Sequence, residues 1–234
     1  MHERHTNDKN LQKVRLLEEL ARPFGVSVLN EDRIYWQSIF EVSNAIDDIV
    51  DQDRNLDITP YIESMIHGES IPYLDQSSAK RFRIVYEGLS NERKARLHQA
   101  SRISEFAILR YEARDIDAYI EHTLDESRLY ADILKIDTES SDYNARNEFN
   151  DWLPSLGRAG YAADTVVDMK SDYKEGITQI NPTLKTYRKL SIVACNEIHK
   201  CLELTPKKTS VMSTLGGLVL KKCALSLVSM VSDT

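Results

Sequence analysis

The chain has 234 residues, enough to bury a sizeable hydrophobic core in one large domain or two small ones. Apolar residues make up 41% and charged residues 29%, and the 8 glycines and 6 prolines are about half their usual share, so we expect a globular protein with long helices rather than many turns. The net charge is −7 and no basic stretch contains aromatic residues, which argues against nucleic-acid binding.

Helical periodicity dominates the chain, and no segment makes a convincing strand. Together with the scarcity of turns, this predicts a single all-α domain over residues 1–234. The predicted helices in chain order are 11–20, a second through 39–49 that Asn30 could cap, a short helix after Thr59-Pro60, helical sequence from 78 to 134 with one face traced by 116–134, then 146–175, 183–204 and 208–231. Breaks are expected at 22–25, at 68–72, and at 176–182, where Gly follows the helix and Pro lies beyond it.

The location of the protein is predicted from its polar N-terminus and its cysteines. The first ten residues lack the apolar core of a signal peptide. The most apolar stretch, 211–231, contains Lys221 and Lys222 and falls short of the roughly 18 apolar residues of a membrane span, so we interpret it as a core helix. We expect a cytoplasmic protein without a membrane span, in which three cysteines are buried reduced thiols: Cys195, Cys201 and Cys223.

A first acidic row is formed by Asp47, Asp48 and Asp51 near the end of the second predicted helix. Asp47 and Asp51 are one turn apart on a helix, and like charges at that spacing repel by about 0.2–0.5 kcal/mol. The helix dipole also disfavours anions at a C-terminal end. A bound cation would remove both penalties, whereas a solvated acidic surface is the structural alternative.

A second acidic row consists of Asp164, Asp168 and Asp172, at positions i, i+4 and i+8 of a later helix. All three lie within an arc of about 80°, with Lys174 close by as a cation that could contact an anion at the rim. A single stripe of this kind usually belongs to the surface. Two stripes on separate helices predict that the helices face each other across a ligand.

Apolar and small residues precede both rows. Trp36 and Phe40 project into the sector of Asp47 and Asp51, while Gly157 and Gly160 precede Asp164. If the helices face each other, these four residues predict an apolar, roomy floor for a substrate beneath an acidic mouth. The alternative for the same residues is that the aromatic side chains belong to the core and a glycine permits close helix packing.

Acidic rows on two helices suit a particular chemistry. Mg²⁺ prefers carboxylate oxygens, keeps several waters and completes its shell with phosphate oxygens. Two or three such ions could neutralise a diphosphate and assist its departure as a leaving group, and a dry apolar cavity would protect the carbocation left behind. The sequence therefore predicts Mg²⁺ ligands at Asp47, Asp48, Asp51, Asp164, Asp168 and Asp172.

These motifs resemble those of the class I isoprenoid (terpene) synthase superfamily. Asp47-Asp48-Ile49-Val50-Asp51 is similar to its DDxxD motif, and the stretch from Leu156-Gly157-Arg158-Ala159 through the second row to Gly176 is similar to the second motif of squalene/phytoene synthases. The second row also has the spacing of the NSE/DTE triad of terpene cyclases. Asp115-Ile116-Asp117-Ala118-Tyr119 looks like the segment that carries a catalytically important tyrosine.

The resemblance implies a helical bundle around a central cavity, a trinuclear Mg²⁺ site and a prenyl diphosphate substrate. It implies catalytic roles for Asp48, Asp168 and Tyr119. Asp164 stands where Asn is usual in the second motif. Val167 stands where squalene/phytoene synthases have an arginine, and the loss of that arginine favours a cyclase acting on C15 or C20 substrates over a condensing prenyltransferase. Four arginines are candidates for a diphosphate contact: Arg83, Arg114, Arg158 and Arg188.

Other interpretations remain open. Residues 51–59 match several positions of an EF-hand calcium loop, but Leu56 replaces its glycine and Ile62 its final glutamate. A helical phosphohydrolase would need histidine ligands near the aspartates, and no such pairing occurs. A non-catalytic helical interaction protein, with both rows as solvated surface, is the main alternative, and a homodimer is as open as a monomer.

Overall fold

The computed structural model describes residues 2–52, 57–99, 102–137 and 142–206. These residues form nine α-helices and one 3-10 helix and no strand, which confirms the predicted all-α class. The helices are α1 His2–Ala21, α2 Asn30–Gln52, α3 Thr59–Ile66, α4 Gln76–Glu87, α5 Asn91–Gln99, α6 Ile103–Glu112, α7 Ile116–Ile133, α8 Tyr143–Lys174 and α9 Leu184–Glu203, with the 3-10 helix at Arg22–Phe24.

Most of the predicted helix ends are confirmed. Gly25 has a φ of 81° just after the 3-10 helix, a left-handed conformation that favours glycine. Gly176 has a φ of 71° after α8, where the amide of Ile177 donates to the Asp172 carbonyl and that of Gly176 to the Tyr173 carbonyl. This pair of bonds is a Schellman motif, and it makes Asp172 part of the last turn of α8.

The start of α2 differs from the predicted cap at Asn30. The carbonyl of Leu29 accepts the first helical bond, from the amide of Arg33, so Leu29 holds the N-cap position and Asn30 is the first helical residue. Asp32 reaches back and accepts a hydrogen bond from the Leu29 amide at 3.3 Å. The helix is therefore capped from its third residue, as in one half of a capping box.

Aspartates cap three of the later helices. Asp75 accepts from the amides of Ser77 and Ser78 at the start of α4, and Asp115 accepts from those of Asp117 and Ala118 at the start of α7. The third is Asp142, which accepts from the amide of Asn144 at the start of α8. Within the helical sequence from 78 to 134, Asp115 marks the start of α7 and Ser90, whose hydroxyl accepts from the Arg93 amide, marks the start of α5, two boundaries that apolar periodicity did not locate.

The chain divides into two compact units, each made of two stretches. The first unit comprises Met1–Ser104 and Ile133–Phe149, and the second comprises Glu105–Asp132 and Asn150–Thr234. The single domain over residues 1–234 stays a prediction.

The first unit is held together by a buried network that connects α2, α5 and residues 133–137. The Tyr35 hydroxyl donates to the Ile133 carbonyl at 2.6 Å, and the Trp36 indole donates to the Leu134 carbonyl at 2.8 Å. Arg93 of α5 binds Asp32 at 2.7 Å, with both side chains almost fully buried, and its guanidinium lies 4.5 Å from the centre of the Tyr35 ring. A buried charge of this kind is stable only when it is paired, as it is here.

The core of the second unit is formed by α7, α8 and α9 with the segments that precede α7 and follow α8. Tyr119, Val166 and Met169 are almost fully buried in this core. The remaining buried members are Ala113, Ala162, Ile180, Tyr187, Leu190 and Ala194. The C-terminal half of α8, which carries the second acidic row, is thus fixed by its opposite, apolar face.

The predictions for the cysteines have different outcomes. Cys201 is a buried free thiol as predicted, but the prediction for Cys195 is wrong, because it lies on the exposed face of α9. Cys223 and the helix predicted at 208–231 lie outside the described residues. Among the helices of the described ranges, none is long and apolar enough to span a membrane.

Candidate functional site

The first acidic row lies in the last two turns of α2, which ends at Gln52. Asp48 is exposed, while the side chains of Asp47 and Asp51 lie outside the described side chains. The row therefore occupies the C-terminal end of its helix, where the helix dipole disfavours carboxylates that have no cation beside them.

The face of α2 that leads to this row lies against α1. The ammonium group of Lys13 is 5.3 Å from the centre of the Phe40 ring, and one turn further along α2 the side chain of Asn44 donates to that of Asn10 at 3.1 Å. Phe40, predicted to contact substrate, is thus half-buried beside α1. The two contacts show that α1 runs antiparallel to α2, with the N-terminal half of α1 on the side of the acidic row.

Trp36 is a core residue of the first unit. Its side chain is fully buried and its single hydrogen-bond donor is used by the Leu134 carbonyl. A substrate contact would need both an exposed ring face and a different use of the indole. The core role that the sequence left open for Trp36 is the one that the structure supports.

The second acidic row lies along the C-terminal half of α8. Asp164 and Asp168 are exposed and Asp172 is half-buried in the last turn. Like the first row, it ends where the carbonyl ends of a helix add negative partial charge. Both rows are therefore in places where a cation is favoured.

The two glycines before this row have different surroundings. A methyl group on Gly157 would come within 2.9 Å of the Ser127 carbonyl oxygen and 3.3 Å of the Ala131 side chain, so α7 packs directly on it. Gly160 has nothing within 4 Å of the equivalent position. Gly157 thus serves close helix packing, and the room for a ligand predicted there is filled by α7, whereas Gly160 faces open space.

Tyr119, from the predicted tyrosine-containing segment, is influenced by the charges of the second acidic row. It lies on α7, it is almost fully buried, and burial raises the pKa of its hydroxyl to about 12. The charge of Asp172 and that of Asp168 raise the pKa further, while the charge of Arg110 lowers it. Tyr119 and the end of the second row, which the sequence places in separate segments, are thus close enough in the second unit to interact electrostatically.

Arg110 on α6 completes this group, which we call the α6–α8 cluster: Arg110, Tyr119, Glu126, Tyr161, Asp168 and Asp172. Burial lowers the pKa of the Arg110 guanidinium, but the charge of the Glu126 carboxylate, 3.3 Å away, together with those of the other acidic groups of the cluster outweighs burial, and the pKa is raised above its usual value. Among the arginines that could contact a diphosphate, the sequence analysis included Arg114, four residues later, but not Arg110. The signal that could have found it is its position one turn before the Tyr119 segment.

The other cationic side chains predicted to contact the substrate lie outside the α6–α8 cluster. Arg158 of α8 forms a two-point ion pair with Glu197 of α9, at 2.7 and 3.2 Å. Lys174 is exposed in the last turn of α8, and Arg188 is exposed on α9. Of these three, Lys174 is the nearest along the chain to the second row.

The donor set of the second row fits Mg²⁺ by its chemistry. Carboxylate oxygens are the ligands that this ion prefers, and it commonly takes only one or two from the protein and the remainder from phosphate and water. Within the described residues, no three acidic, histidine or cysteine side chains converge on one point. Residues at i and i+8 of a helix are about 12 Å apart, so one ion would contact at most neighbouring members of the row.

A small depression lies between α7, α8 and α9. Its volume is about 10 Å³, room for about one water molecule, whereas ligand pockets measure roughly 300–1,000 Å³. Its lining residues are Ile120, Thr123, Leu124, Ala162, Thr165, Leu190 and Val193. This depression is therefore too small for a prenyl chain.

The calcium-loop interpretation is only partly covered by the described residues. Asp57 accepts a hydrogen bond from the Thr59 amide at 2.9 Å, and the helix of α3 begins at Thr59. Two of the five matching loop positions are thus part of a local helix start. Residues 53–56 lie outside the described ranges.

The first row belongs to the first unit and the second row to the second unit, so the predicted pairing of the two rows stays a prediction. No protein-family model, no curated protein and no solved structure matches this chain. The resemblance to isoprenoid synthases therefore rests on the residues quoted from the sequence.

Proposed function

We propose that the chain is an Mg²⁺-dependent class I terpene synthase that ionises a prenyl diphosphate of C15 or C20 and cyclises or rearranges the carbocation. The observation that carries the proposal is the α6–α8 cluster, in which Tyr119, Asp168 and Asp172 interact within one unit. These residues come from two sequence motifs that each resemble the same superfamily.

The role of each residue follows from its surroundings. Asp168 and Asp172 would hold Mg²⁺, which as a Lewis acid makes diphosphate a better leaving group. Tyr119 keeps its proton at neutral pH because its pKa is about 12, so the buried hydroxyl can donate a hydrogen bond without adding negative charge.

The proposal includes a reducing compartment, the cytoplasm. Cys195 and Cys201 are free thiols, one of them exposed, and free thiols persist where the surroundings are reducing.

The test is incubation with C10, C15 and C20 prenyl diphosphates and Mg²⁺, followed by product identification and measurement of released diphosphate. We expect Asp168→Ala to abolish diphosphate release at unchanged helicity, and EDTA to abolish it reversibly. Asp151→Ala, an exposed carboxylate earlier on the same helix, is the matched control and should keep full activity. Asp48→Ala tests the predicted role of the first row in the same assay.

Each outcome decides between the candidates. A cyclic hydrocarbon or alcohol supports the cyclase, and a doubled chain identifies a condensing prenyltransferase of the squalene/phytoene type. Full activity of Asp168→Ala would remove the proposed role of the second row. No turnover of any substrate would favour the non-catalytic interaction protein.

A further inference from the structure

One face of α9 carries apolar side chains that are exposed to solvent. Leu184 and Leu202 are 66% and 36% exposed, and they point in the same direction because residues 18 apart are separated by about five full turns of a helix. Ile198 continues this face toward the core and is buried, whereas Cys195 lies at its outer edge and is exposed. We call this face the α9 stripe: Leu184, Ser191, Ile198 and Leu202. It runs from the first turn of α9 to the last, unlike the single apolar residues that are ordinary on a protein surface.

The chain leaves α9 at a fixed position beside α8. The buried hydroxyl of Thr205, two residues after the helix, donates to the Cys201 carbonyl at 2.7 Å and accepts from the Trp152 indole of α8 at 3.1 Å. Pro206 follows and prevents α9 from continuing. The next predicted helix begins at 208, so the link between the two helices is short. Short links of this kind join antiparallel neighbouring helices.

The sequence that follows, 208–231, lies outside the described residues and contains the most apolar stretch of the chain. If it is helical as predicted, apolar residues fall on every side of the helix, interrupted only by small polar residues and by Lys221 and Lys222. A helix that is apolar all round is stable in water only when most of its surface is covered. Its length would be about 36 Å, against about 30 Å for the 20 residues of α9, so it could run back along the whole of α9.

We propose that residues 208–231 fold back as a helix along the α9 stripe, antiparallel to α9, and cover Leu184 and Leu202. The inference does not depend on the proposed function. In this arrangement residue 208 lies level with residue 203, and each later residue lies level with the next earlier residue of α9. Ser213 is then level with position 198 and Ser226 with position 185, while Cys195 stays accessible at the outer edge of the stripe.

The experiment measures which positions of 208–231 can be cross-linked to α9 in the full chain by a short bismaleimide. In a Cys223→Ser background, Ser213→Cys is paired with the native Cys195, and Ser226→Cys is paired with Lys185→Cys in a chain that also carries Cys195→Ser. We expect both pairs to cross-link within one chain. The swapped pairs, 195 with 226 and 185 with 213, would be offset by roughly 15–20 Å along the helices, so they should react about tenfold more slowly or less.

The swapped pairs distinguish docking on the α9 stripe from mere connection to α9. Position 213 is nearer along the chain than position 226 to both α9 thiols, so loop closure without docking favours 213 in every pair. That order of rates, or equal rates for all four pairs, overturns the inference. Cross-links that join two chains, seen as dimers on a denaturing gel, would show a second copy on the stripe and would overturn it as well.

A second measurement tests whether the stripe is covered. Leu202→Gln keeps a similar helix propensity but would place an amide beneath an apolar helix, so we expect it to lower Tm by about 4 °C or more. The matched control is Ile84→Gln on α4, where the isoleucine is 70% exposed, and it should change Tm by less than about 2 °C. Equal shifts in the two variants, with helicity verified by circular dichroism, would overturn the inference.

Discussion

Gly157 and Gly160 are three residues apart in α8, yet only the substitution of Gly160 by alanine should stabilise the protein. Both substitutions gain helix propensity, about 1 kcal/mol for glycine to alanine in a helix interior. At Gly160 the new methyl group meets nothing within 4 Å. Gly160→Ala should therefore be stabilising by about 1 kcal/mol.

At Gly157 the gain is opposed by a steric conflict. The methyl carbon would lie 2.9 Å from the backbone carbonyl oxygen of Ser127 and 3.3 Å from the Ala131 methyl group. A backbone carbonyl cannot relieve the conflict by changing rotamer as a side chain can, so α7 and α8 must separate locally. Overpacking of this kind costs about 1–3 kcal/mol, which places Gly157→Ala about 1–3 kcal/mol below Gly160→Ala in stability.

The assay is thermal and urea unfolding followed by circular dichroism at the helical band. For a chain of this size, 1 kcal/mol corresponds to about 2–4 °C in Tm. We expect Gly160→Ala to raise Tm by about that amount, and Gly157→Ala to lower it or leave it at the wild-type value. An increase in Tm for Gly157→Ala equal to that of Gly160→Ala would refute the direct contact of α7 on Gly157.

Two further predictions concern ionisable groups of α9. Burial raises the pKa of Glu197, but the hydrogen bonds and charges of Arg158 and Lys200 outweigh burial and hold the pKa below its usual value. The ionised carboxylate therefore stabilises the fold above its ordinary pKa of about 4.3. This contribution is lost as the pH falls through the lower pKa of the folded protein. The urea midpoint of the wild type should fall more steeply below about pH 4.3 than that of Glu197→Gln, and parallel pH profiles would contradict this assignment. Burial raises the pKa of the Cys201 thiol to about 12, whereas Cys195 is exposed. Iodoacetamide at neutral pH should therefore alkylate Cys195 and leave Cys201 unmodified until the protein is denatured. Equal labelling of both cysteines in the native protein, measured by peptide mass mapping, would contradict the burial of Cys201.

The helices could be predicted from the sequence because their signals are local. Glycine and proline mark the ends at 22–25 and 176–182, and the apolar periodicity of α1, α7 and α9 is strong enough to place them. The divisions between α4, α5, α6 and α7 were not located, because they depend on short caps such as those of Ser90 and Asp115. A capping aspartate looks like any other acidic residue until its hydrogen-bond partners are known.

The candidate site could be predicted only in part, because its members depend on which faces meet. The aspartates and Tyr119 were found from spacing and resemblance. Arg110 was missed because the choice among arginines depends on how α6 packs against α7 and α8. Trp36 was predicted to contact substrate, but it is buried and donates its hydrogen bond to the carbonyl of Leu134, almost a hundred residues later.

The first unit is completed by residues that follow part of the second. A nascent chain that has emerged only as far as Ser104 lacks the carbonyls of Ile133 and Leu134, which bind Tyr35 and Trp36. During synthesis, therefore, α6 and all of α7 must be made before the polar groups of Tyr35 and Trp36 on α2 find their permanent partners. A fragment ending at Ser104 should consequently be a poor folding unit, and a chaperone that binds nascent chains would meet these aromatic residues still uncovered.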